Sequence, residues 1–572
     1  MEKNWHLLQP DAEMAKKLCA GLHCHPITAA VLINRNLTSV EAASGFLAPS
    51  LRKIRSPFAL QDMDAAVKRI YRAVTHNEKI LIFGDYDVDG ITATAVLLDF
   101  LRHAEADVSY YIPHRLKEGY SLQPRHIANH VLPNRYRLII TADCGSGSHE
   151  AIAAARKDGI DVIVTDHHEV SGKIPWAAAV LNPKRPDCSS GMEALAGVGV
   201  AFALIIGLRK YMRDQNYWKN RPEPNLKVFC DLVALGTIGD MVPLVEENRV
   251  FSKAGLDIIN SETRPGIRAL CEVAGISNQS TNAEDLAFRL VPRLNAAGRM
   301  DHASLALQLL TTSNTNTARE LAQSLDGFNN RRQELERSIL NDITVDYRQH
   351  PEHLTNRTLI KWHPGWHQGV LGIVASRMVE AYYRPVVLLA VSGELGKGSA
   401  RSIPGLDLYK ALEACRHWLE DFGGHSMAAG LTIKTENLVE FQHAFENTVK
   451  LMVQPDDTIP RLNVDTAIRF DDISEKLIDE IEALSPFGSE NPEPLFMAQN
   501  IKVVSSKIVG KNHCKMLLLQ DVQPSGRPVP AIRFNAEDSL LKETTFGRIA
   551  FRLRWNRWNG NKMLQLVVED AQ

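Results

Sequence analysis

The stretch Lys79-Ile-Leu-Ile-Phe-Gly-Asp-Tyr-Asp-Val-Asp-Gly90 joins an apolar run to a turn that carries three carboxylates. The run is typical of a β-strand buried on both faces, and residues 91–102 after the turn have the pattern of a helix. Three carboxylates within five residues repel one another, so the turn is destabilising unless a cation neutralises it. The stretch therefore predicts an α/β sheet with a divalent-cation site at the end of one strand, against the alternative of a solvated acidic turn.

The same turn superficially matches the calcium loop of an EF-hand. That loop needs a bidentate Glu at its twelfth position, where this chain has Val96. It also lies between two helices, whereas here a strand precedes the turn. An EF-hand is therefore excluded, and a catalytic cation site is favoured.

Further apolar runs predict more strands of the same parallel sheet, at 108–112, 138–141, 161–165 and 179–181, with a helix at 149–157. Asp143 follows one of these strands, and Asp166-His167-His168 follows another. The carboxyl ends of parallel strands share one crevice, so we expect these side chains to meet the acidic turn. Asp240 is a further candidate, although its position after an apolar helix would otherwise mark it as a loop residue. Carboxylates mixed with imidazoles suit Mn²⁺ or Mg²⁺ better than structural zinc.

The chain of 572 residues is long enough for about four domains. Residues 317–346 have an amphipathic pattern that predicts one long connector helix. A second α/β block follows, with strands expected at 358–361 and 386–391, a helix at 369–382 and a Gly-rich turn at Gly423-Gly424. We therefore predict an α/β multidomain protein, divided into a helical segment (1–50), a parallel-sheet catalytic domain (51–312), a connector helix (313–350), a smaller α/β domain (351–460) and a C-terminal β-barrel of the OB-fold type (461–572).

The net charge of −2 hides an uneven distribution. Residues 501–572 contain 12 Lys and Arg against 6 Asp and Glu, a local charge of +6. Arg552, Arg554 and Trp555, with Trp558 close by, combine cations that contact phosphates with aromatic rings that stack on bases, as OB-folds do with single strands. The alternative is a strand with one packed Trp and an ordinary basic edge.

Composition excludes several classes. With 45% hydrophobic and 23% charged residues the chain is neither disordered nor fibrous. The apolar run 194–208 is too short to span a bilayer and predicts a buried helix, and the N-terminus lacks a secretory signal, so we expect a cytoplasmic protein without membrane contact. Eight scattered cysteines form no CxxC pair, which argues against a disulfide framework or a zinc ribbon. The run Gly396-Lys-Gly-Ser399 is not a Walker A motif, because Gly398 separates Lys from Ser.

The motifs together resemble the DHH/DHHA1 phosphoesterase superfamily, and in particular its single-strand-specific 5′→3′ DNA exonucleases. The resemblance is carried by GDYDVDG (84–90), ADCG (142–145), VTDHH (164–168), GTIGDMVPL (236–244), NAAGR (295–299), WHQGV (366–370), GIVASR (372–377), GSARS (398–402) and GGHSMAAG (423–430). Ala400 stands where this family usually has Gly, which slightly alters the expected phosphate-binding loop, and Gly239 stands where Ala is common. Neither departure removes a ligand.

The resemblance implies a role for each matching residue. It implies two Mn²⁺ or Mg²⁺ ions, with the metal ligands Asp87, Asp89, Asp143, His167 and Asp240. Asp85, Asp166 and His168 would be catalytic, with Asp85 supporting the ligands and His168 against the scissile phosphate. Arg115, Ser399 and Arg401 would bind the terminal 5′-phosphate and Tyr120 would stack on a nucleotide; without the resemblance, Arg115 is a surface charge and Tyr120 a packed loop residue. Further substrate contacts would come from Asn295, Arg299, Ser376, Arg377 and His425.

The implied activity is hydrolysis of single-stranded DNA to nucleoside 5′-monophosphates in repair and recombination. The implied state is a monomer, with a single-strand-binding protein and a RecQ-type helicase as candidate partners. One alternative is a phosphodiesterase for short oligoribonucleotides or cyclic dinucleotides, which typically lacks a basic C-terminal barrel. The other is an inactive DNA-binding scaffold, against which the complete set of acidic and imidazole residues argues.

Overall fold

The computed structural model describes residues 3–170, 172–261, 264–277, 280–520, 527–536, 543–558 and 561–572. The N-terminal part contains one short strand and three helices: β1 (Asn4–Leu7), α1 (Ala12–Leu22), α2 (Pro26–Asn34) and α3 (Val40–Leu47). Each helix begins at a residue whose side chain accepts a hydrogen bond from the first turn, namely Asp11, His25 and Ser39. No helix in the described part of the chain is long and apolar enough to cross a membrane.

A five-stranded parallel sheet in the order β3-β2-β4-β5-β6 forms the catalytic domain. Its elements are α4 (Met63–Thr75), β2 (Ile80–Gly84), α5 (Val88–His103), β3 (Val108–Tyr111), α6 (Pro124–His126), β4 (Leu138–Ala142), α7 (His149–Lys157), β5 (Asp161–Thr165) and β6 (Ala179–Leu181). Every residue of β2 and β4 is buried, as expected for a sheet covered on both faces. The predicted parallel sheet is confirmed. Because β3 and β4 flank β2, the order of the strands reverses beside β2, which is where such sheets open a crevice.

A helical layer packs on this sheet: α8 (Gly197–Asp214), α9 (Cys230–Gly239), α10 (Glu246–Ser261), α11 (Pro265–Ala274), α12 (Ala283–Asp285), α13 (Val291–Met300) and α14 (Ser304–Thr311). The buried helix predicted at 194–208 is α8. The long helix predicted at 317–346 is α15 (Thr315–Gln349). Its first half buries Ala318, Ala322 and Leu325 in the catalytic core, and its second half buries Ile339 and Ile343 against the next domain, so it connects two bodies as expected.

The second α/β domain has a mixed sheet in the order β10-β11-β9-β8-β7. Its elements are β7 (Leu359–His363), α16 (Gln368–Tyr382), β8 (Val386–Ser392), β9 (Leu395–Arg401), α17 (Leu408–Ala414), β10 (Leu419–Gly424), β11 (Ala428–Lys434) and α18 (Leu438–Met452). The structure corrects two predictions here. Gly423 and Gly424 end a strand and pair with Gly430 and Ala429, so they are not a turn, and the expected phosphate-binding loop at 398–402 is mostly strand β9. Glycine-rich strands lack the alternating apolar pattern that would have revealed them.

The C-terminal domain is a closed barrel in which five strands follow the order β14-β15-β16-β18-β17 and β17 pairs back to β14. Its elements are β12 (Arg461–Val464), β13 (Thr466–Ala467), α19 (Glu475–Ala483), β14 (Phe496–Val509), β15 (His513–Gln520), β16 (Val529–Arg533), β17 (Thr545–Trp558) and β18 (Asn561–Ala571). The predicted OB-type barrel is confirmed. The N-terminal helices pack on it: Leu18, Val31 and Leu32 share one core with Phe551 and Leu566.

Arg249 of α10 joins three parts of the chain. It is 2% exposed, and its guanidinium donates to the carbonyl oxygens of Phe46 at 2.8 Å, Leu484 at 2.8 Å and Ser485 at 2.9 Å, while it lies 3.7 Å from the centre of the Phe46 ring. Burial lowers the pKa of Arg249 to about 10. The catalytic domain, α3 and the segment after α19 are therefore held together by one buried cation.

We expect Arg249→Met to lower the free energy of unfolding by about 3 kcal/mol or more, because several buried carbonyl groups lose their donor at once. Urea unfolding followed by circular dichroism measures this. Arg319→Met is the matched control, since Arg319 is 57% exposed and lies 3.7 Å from Glu272. A loss of less than about 1 kcal/mol would contradict the proposed role.

Candidate active site

Polar side chains from four elements meet at the carboxyl edge of the parallel sheet. Asp85, Asp87 and Asp89 follow β2, Asp143 follows β4, and His167 follows β5. A fourth element, α9, ends at Gly239 and places Asp240 beside them. The prediction that these residues meet in one crevice agrees with this arrangement.

His167 lies at the centre of one group of potential ligands. Its Nε2 atom is 3.3 Å from Asp143 Oδ1, 3.4 Å from Asp240 Oδ2 and 3.7 Å from Asp89 Oδ2. Asp85, Asp87 and Asp143 form a second group whose ligand atoms lie within 4.8 Å of one another. Asp143 lies next to His167 and is also a member of the second group, so the two groups are adjacent.

Helix termini hold two of these carboxylates in place. Asp87 caps α5, because its Oδ1 accepts from the amides of Asp89 and Gly90. Asp89 accepts from the first amides of α8, with 2.6 Å to Gly197 N and 2.8 Å to Val198 N. A Cβ atom at Gly197 would lie 2.5 Å from Asp143 Oδ1, so only glycine lets this helix approach the acidic cluster.

The cluster is electrostatically unfavourable without a cation. Burial and the charge of Asp89 raise the pKa of Asp240 to about 9, and burial and the charge of Asp87 raise the pKa of Asp89 to about 7. The pKa values of Asp85 and Asp143 are raised for the same two reasons. Burial and the neighbouring His168 lower the pKa of His167 to about 3, which keeps its imidazole neutral, as a metal ligand must be.

Unpaired buried atoms test whether a metal fits here. Within the described residues, Asp85 Oδ1, Asp143 Oδ1 and both ring nitrogens of His167 are buried without a hydrogen-bond partner. Buried polar groups are normally paired, so the three unpaired atoms that face the cluster, Asp85 Oδ1, Asp143 Oδ1 and His167 Nε2, indicate that a cation is their partner. Five carboxylates and one imidazole match the preferences of Mn²⁺ and Mg²⁺.

His168 is oriented by Asp166. The Nδ1 atom of His168 lies 2.8 Å from Asp166 Oδ1, which leaves Nε2 as the free ring atom. Burial opposes the charged imidazolium, but the hydrogen bond and charge of Asp166 outweigh it and raise the pKa of His168 to about 9. Asp166 also accepts from the amides of Ser146, His167 and His168, so its oxygens are fully engaged. The structure thus places Asp166 where it positions His168, and its catalytic role stays a prediction.

A cavity of about 380 Å³ opens between the catalytic domain and the second α/β domain. Its wall carries Arg115 and Arg299 from one side and Lys397, Ser399 and Arg401 from the other, and no carboxylate is among its described lining residues. A Cβ at Gly372 would lie 2.7 Å from Arg401 Nη2 and 3.1 Å from Ser399 Oγ, so glycine keeps this space open. Burial and the charge of Arg115 lower the pKa of Arg299 to about 9. An anion such as a phosphate would relieve the repulsion among these cations.

Tyr86 links the cavity to the acidic cluster and was not singled out from the sequence. It lies between Asp85 and Asp87 in the chain, lines the cavity, and holds the Arg115 guanidinium 4.8 Å from the centre of its ring. The edge of Tyr120 contacts Tyr86 at 6.4 Å between ring centres, and the Tyr120 hydroxyl lies 3.2 Å from His168 Nδ1. In the sequence, the position of Tyr86 between two candidate ligands was the only signal of its role.

Four other predicted substrate residues have different surroundings. Asn295 Oδ1 accepts from Val88 N at 2.8 Å and so fixes the start of α5. Ser376 donates to Gly372 O in its own helix, and Arg377 forms an ion pair with buried Glu336 of α15. His425 is exposed in the turn between β10 and β11 and is not part of the cavity wall. None of the four lines the cavity, whereas Arg299 does.

The structure pairs the predicted DNA-binding strand of the barrel with residues of the protein itself. Trp555 is 9% exposed and donates to Asp479 at 2.8 Å, so it is a core residue. Arg554 pairs with Glu493 at 2.7 Å and with Glu284 at 3.1 Å, and Arg552 pairs with Glu569 at 3.3 Å. These contacts favour the alternative of a packed Trp with an ordinary basic edge, and the DNA contacts of the three residues stay a prediction. The side chain of Trp558 lies outside the described residues.

Unpaired cations of the barrel lie on β14 and β15 instead. Lys507 and Lys515 face each other directly across the two strands, and no carboxylate in the described part of the barrel lies within ion-pair distance of either. Like charges directly opposite are destabilising in a sheet, so stability does not explain the pair. Nearby, Phe534 is 51% exposed and its ring contacts His513 at 5.2 Å. We call Lys507, Lys515, His513 and Phe534 the β14–β15 basic face. It combines positive charge with an exposed aromatic ring.

Comparisons with known proteins match three parts of the chain to family models. The model of the DHH family, N-terminal domain, matches residues 79–237, the DHHA1 domain matches 355–451 and the RecJ OB domain matches 464–570. The single-stranded-DNA-specific exonuclease RecJ of Bacillus subtilis is 35% identical over 99% of this chain and 70% of its own length. The chain belongs to the RecJ family. The RecJ of Escherichia coli is 36% identical over 89% of this chain and 90% of its own length.

Solved RecJ structures share the fold. A crystal structure of RecJ in complex with Mn²⁺ from Thermus thermophilus matches with a TM-score of 0.83 and 28% identity, covering all of this chain and 79% of that one. A second crystal structure of an exonuclease RecJ bound to manganese has 34% identity and a TM-score of 0.59, over 70% of this chain and 96% of that one. The family resemblance inferred from the motifs is therefore confirmed.

Proposed function

We propose that the chain is a metal-dependent exonuclease that degrades single-stranded DNA from its 5′ end and releases nucleoside 5′-monophosphates. One observation carries the proposal: Tyr86, which lines a cationic cavity, stands in the chain between Asp85 and Asp87 of the acidic ligand cluster. A cavity that fits one terminal phosphate next to a hydrolytic centre explains both attack at an end and the choice of the 5′ end. The membership in the RecJ family supports the same function.

Asp85, Asp87, Asp89, Asp143, His167 and Asp240 would hold two Mn²⁺ or Mg²⁺ ions. Such ions, when bound, neutralise phosphate charge and make hydroxide available near neutral pH. Hydrolysis breaks the bond between O3′ of the terminal nucleotide and the next phosphorus, and the shortened strand again ends in a 5′-phosphate. That phosphate would enter the cavity of Arg115, Ser399 and Arg401 for the next cycle.

His168 would act on the scissile phosphate. Its Nδ1 atom is held by Asp166, so Nε2 is free to donate a proton in a hydrogen bond to a phosphate oxygen. Buried Asn182 supports this segment, because it donates to His168 O and Ser146 Oγ, both at 2.9 Å. The Tyr120 ring would cover the terminal nucleotide on the side of His168.

A gel assay with 5′-labelled and 3′-labelled strands tests the proposal. The 5′ label should appear at once as a mononucleotide, the 3′-labelled strand should shorten gradually, and both reactions should need Mn²⁺ or Mg²⁺. Duplex DNA, RNA and a series of lengths complete the set. Initial release from the 3′ end, or faster cleavage of dinucleotides than of long strands, would overturn the proposal in favour of a short-oligonucleotide phosphodiesterase.

We expect the β14–β15 basic face to bind the strand, because unpaired cations beside an exposed aromatic ring are the combination with which OB barrels hold single strands. The double variant Lys507→Gln with Lys515→Gln should bind a 30-nucleotide strand about tenfold more weakly. The slope of log affinity against log salt should fall by about 1.4, since each phosphate contact contributes roughly 0.7 for single strands. Fluorescence anisotropy measures both quantities.

The matched control for this prediction is Arg557→Gln with Lys562→Gln. It removes the same charge from β17 and β18, where Arg557 pairs with Glu482 and Lys562 with Asp479. Equal losses in the two double variants would mean that net charge, and not the β14–β15 basic face, determines binding.

The finer partner predictions stay predictions. Two partners, a single-strand-binding protein and a RecQ-type helicase, are predicted from the resemblance, as is the monomeric state, and the cytoplasmic location is predicted from the sequence. Pull-down experiments on the full chain would test the partners, and light scattering would test the monomeric state.

A further inference from the structure

The loop between β3 and α6, residues 112–123, carries residues of two different parts of the site. Arg115 lines the cationic cavity, and Tyr120 lies next to His168, with 5.7 Å between the two ring centres. The loop contains neither helix nor strand, so no regular ladder of backbone hydrogen bonds fixes these side chains. Other contacts within the loop must therefore set the position of Arg115 relative to Tyr120.

Glu118 closes this loop with both oxygens of its carboxylate. Its Oε2 accepts from His114 N at 2.5 Å, and its Oε1 accepts from the Tyr111 hydroxyl at 2.6 Å. The main chain closes the same turn in the opposite direction, since Glu118 N donates to His114 O at 2.8 Å. Arg115 is the first residue inside this turn, so two hydrogen bonds enclose its part of the backbone.

Tyr111 gives the carboxylate a well-packed partner. The Tyr111 ring stacks on Phe83 of β2, with 5.6 Å between ring centres, and Phe83 is 1% exposed. Burial and the hydrogen bond to Glu118 raise the pKa of Tyr111 to about 12, so the hydroxyl keeps the proton that it donates. Burial opposes ionisation of Glu118, but the hydrogen bonds from His114 N and Tyr111 outweigh it and lower the pKa of this carboxyl group. A charged acceptor thus ties the loop to the sheet that carries the acidic cluster.

The backbone at Glu118 also holds the second half of the loop. Gln123 Nε2 donates to Glu118 O at 3.1 Å and to Tyr120 O at 3.3 Å. Gly119 and Ser121, on either side of Tyr120, have φ of +74° and +68°, in the left-handed region. Tyr120 therefore lies in a sharply bent segment whose path depends on the position of Glu118.

We propose that Glu118 is a positioning residue, which fixes Arg115 and Tyr120 relative to each other and so couples recognition of the 5′-phosphate to the cleavage centre. This inference rests on the proposed function, because it concerns how the 5′ end is held. Glu118 is not among the described residues that line the cavity, so its effect passes through the loop. A misplacement of about 1 Å can lower a rate by about 100-fold, which is why the hold on the loop matters.

The preference for a 5′-phosphate measures this coupling. Glu118→Ala should lower kcat/KM on 5′-phosphorylated strands by about 10- to 100-fold, and the ratio of this rate to the rate on 5′-hydroxyl strands by about tenfold. In an Arg115→Gln background, where the preference is already lost, Glu118→Ala should leave the ratio unchanged. Glu118→Gln should keep most of the preference, because its amide oxygen can accept from His114 N while its amino group donates to the Tyr111 hydroxyl.

Glu480→Ala is the matched control. Glu480 of α19 likewise accepts from one amide and one hydroxyl, with 2.8 Å to His25 N and 2.6 Å to Thr28 Oγ1, but these contacts join α19 to α2. Its loss should destabilise the protein and leave the phosphate preference unchanged. Equal losses of preference in the two Ala variants, or in Glu118→Gln and Glu118→Ala, would overturn the inference.

Hydrogen exchange followed by mass spectrometry tests the loop without substrate. In the metal-free protein, amides of residues 112–123 should exchange about tenfold faster in Glu118→Ala than in the wild type, Glu118→Gln or Glu480→Ala, because the loop then opens locally. Unchanged exchange in Glu118→Ala would also contradict the proposed role. Failure of the proposed function would instead appear in the wild type, as wrong polarity in the gel assay or as no preference for a 5′-phosphate, whatever the exchange result.

Discussion

Asp143→Asn is expected to reduce kcat on single-stranded DNA by about 1,000-fold or more, equivalent to roughly 4 kcal/mol of activation free energy. Asp143 is 2% exposed and lies within reach of both groups of potential ligands, so its loss disturbs the whole cluster. Asn is the right substitute, because Asp143 has φ of +63°, a conformation that Asn tolerates well. The backbone should therefore keep its path while one negative charge is lost.

The Tm of Asp143→Asn, measured with and without Mn²⁺, distinguishes loss of metal binding from loss of the fold. The carboxylates of the cluster repel one another, so the metal-free variant should melt at or above the temperature of the metal-free wild type. Mn²⁺ at 100 times its Kd should stabilise the wild type by about 2.7 kcal/mol and so raise its Tm. The Tm of the variant should rise much less. Glu169→Gln is the control, since Glu169 carries the same charge next to His168 but is 68% exposed. Activity above about a tenth of wild type at saturating Mn²⁺ would contradict the assignment of Asp143.

Arg401→Gln should remove most of the preference for a 5′-phosphate. Arg401 is held by its own strand, with 3.0 Å from Nη1 to Ser399 Oγ, and lines the cavity with Arg115. A charge-assisted hydrogen bond contributes about 1.5–3 kcal/mol, so kcat/KM on 5′-phosphorylated strands should fall about 10- to 100-fold. The rate on 5′-hydroxyl strands should change far less.

The ratio of the two rates is the informative measurement. Lys434→Gln is the control, because Lys434 lies on the adjacent strand β11, is 49% exposed and is 3.8 Å from Glu420. If Arg401→Gln lowered both rates equally, the cavity would contribute general affinity rather than recognition of the end, and the explanation of polarity would be wrong.

The acidic cluster could be predicted because its signal is local. β2, β4 and β5 are continuous apolar runs, and in a parallel sheet the residue after each strand must come to the same edge. Asp85, Asp143 and Asp166 follow from that rule alone, and His167 is the next residue after Asp166. Asp240 needed the family resemblance, because the end of a helix carries no such rule.

The contacts of the basic strand of the barrel could not be predicted because their signal is not local. Arg554 and Trp555 look available in the sequence, but their partners Glu284, Glu493 and Asp479 lie between 61 and 270 positions away. Charge counting cannot tell a paired cation from a free one. The same holds for Asn295, whose partner Val88 N is 207 positions away.

The core shared by α1–α3 and the barrel has a consequence for the order of folding. β1 pairs with β12, and Leu18 and Leu32 pack against residues beyond 465, so the N-terminal helices find their partners only when the last fifth of the chain has been made. At 5–20 residues per second, they wait about 25 to 105 s during synthesis with their apolar faces uncovered. A fragment that begins at residue 461 would lack part of its own core, because the barrel core is completed by helices more than 400 positions earlier in the chain.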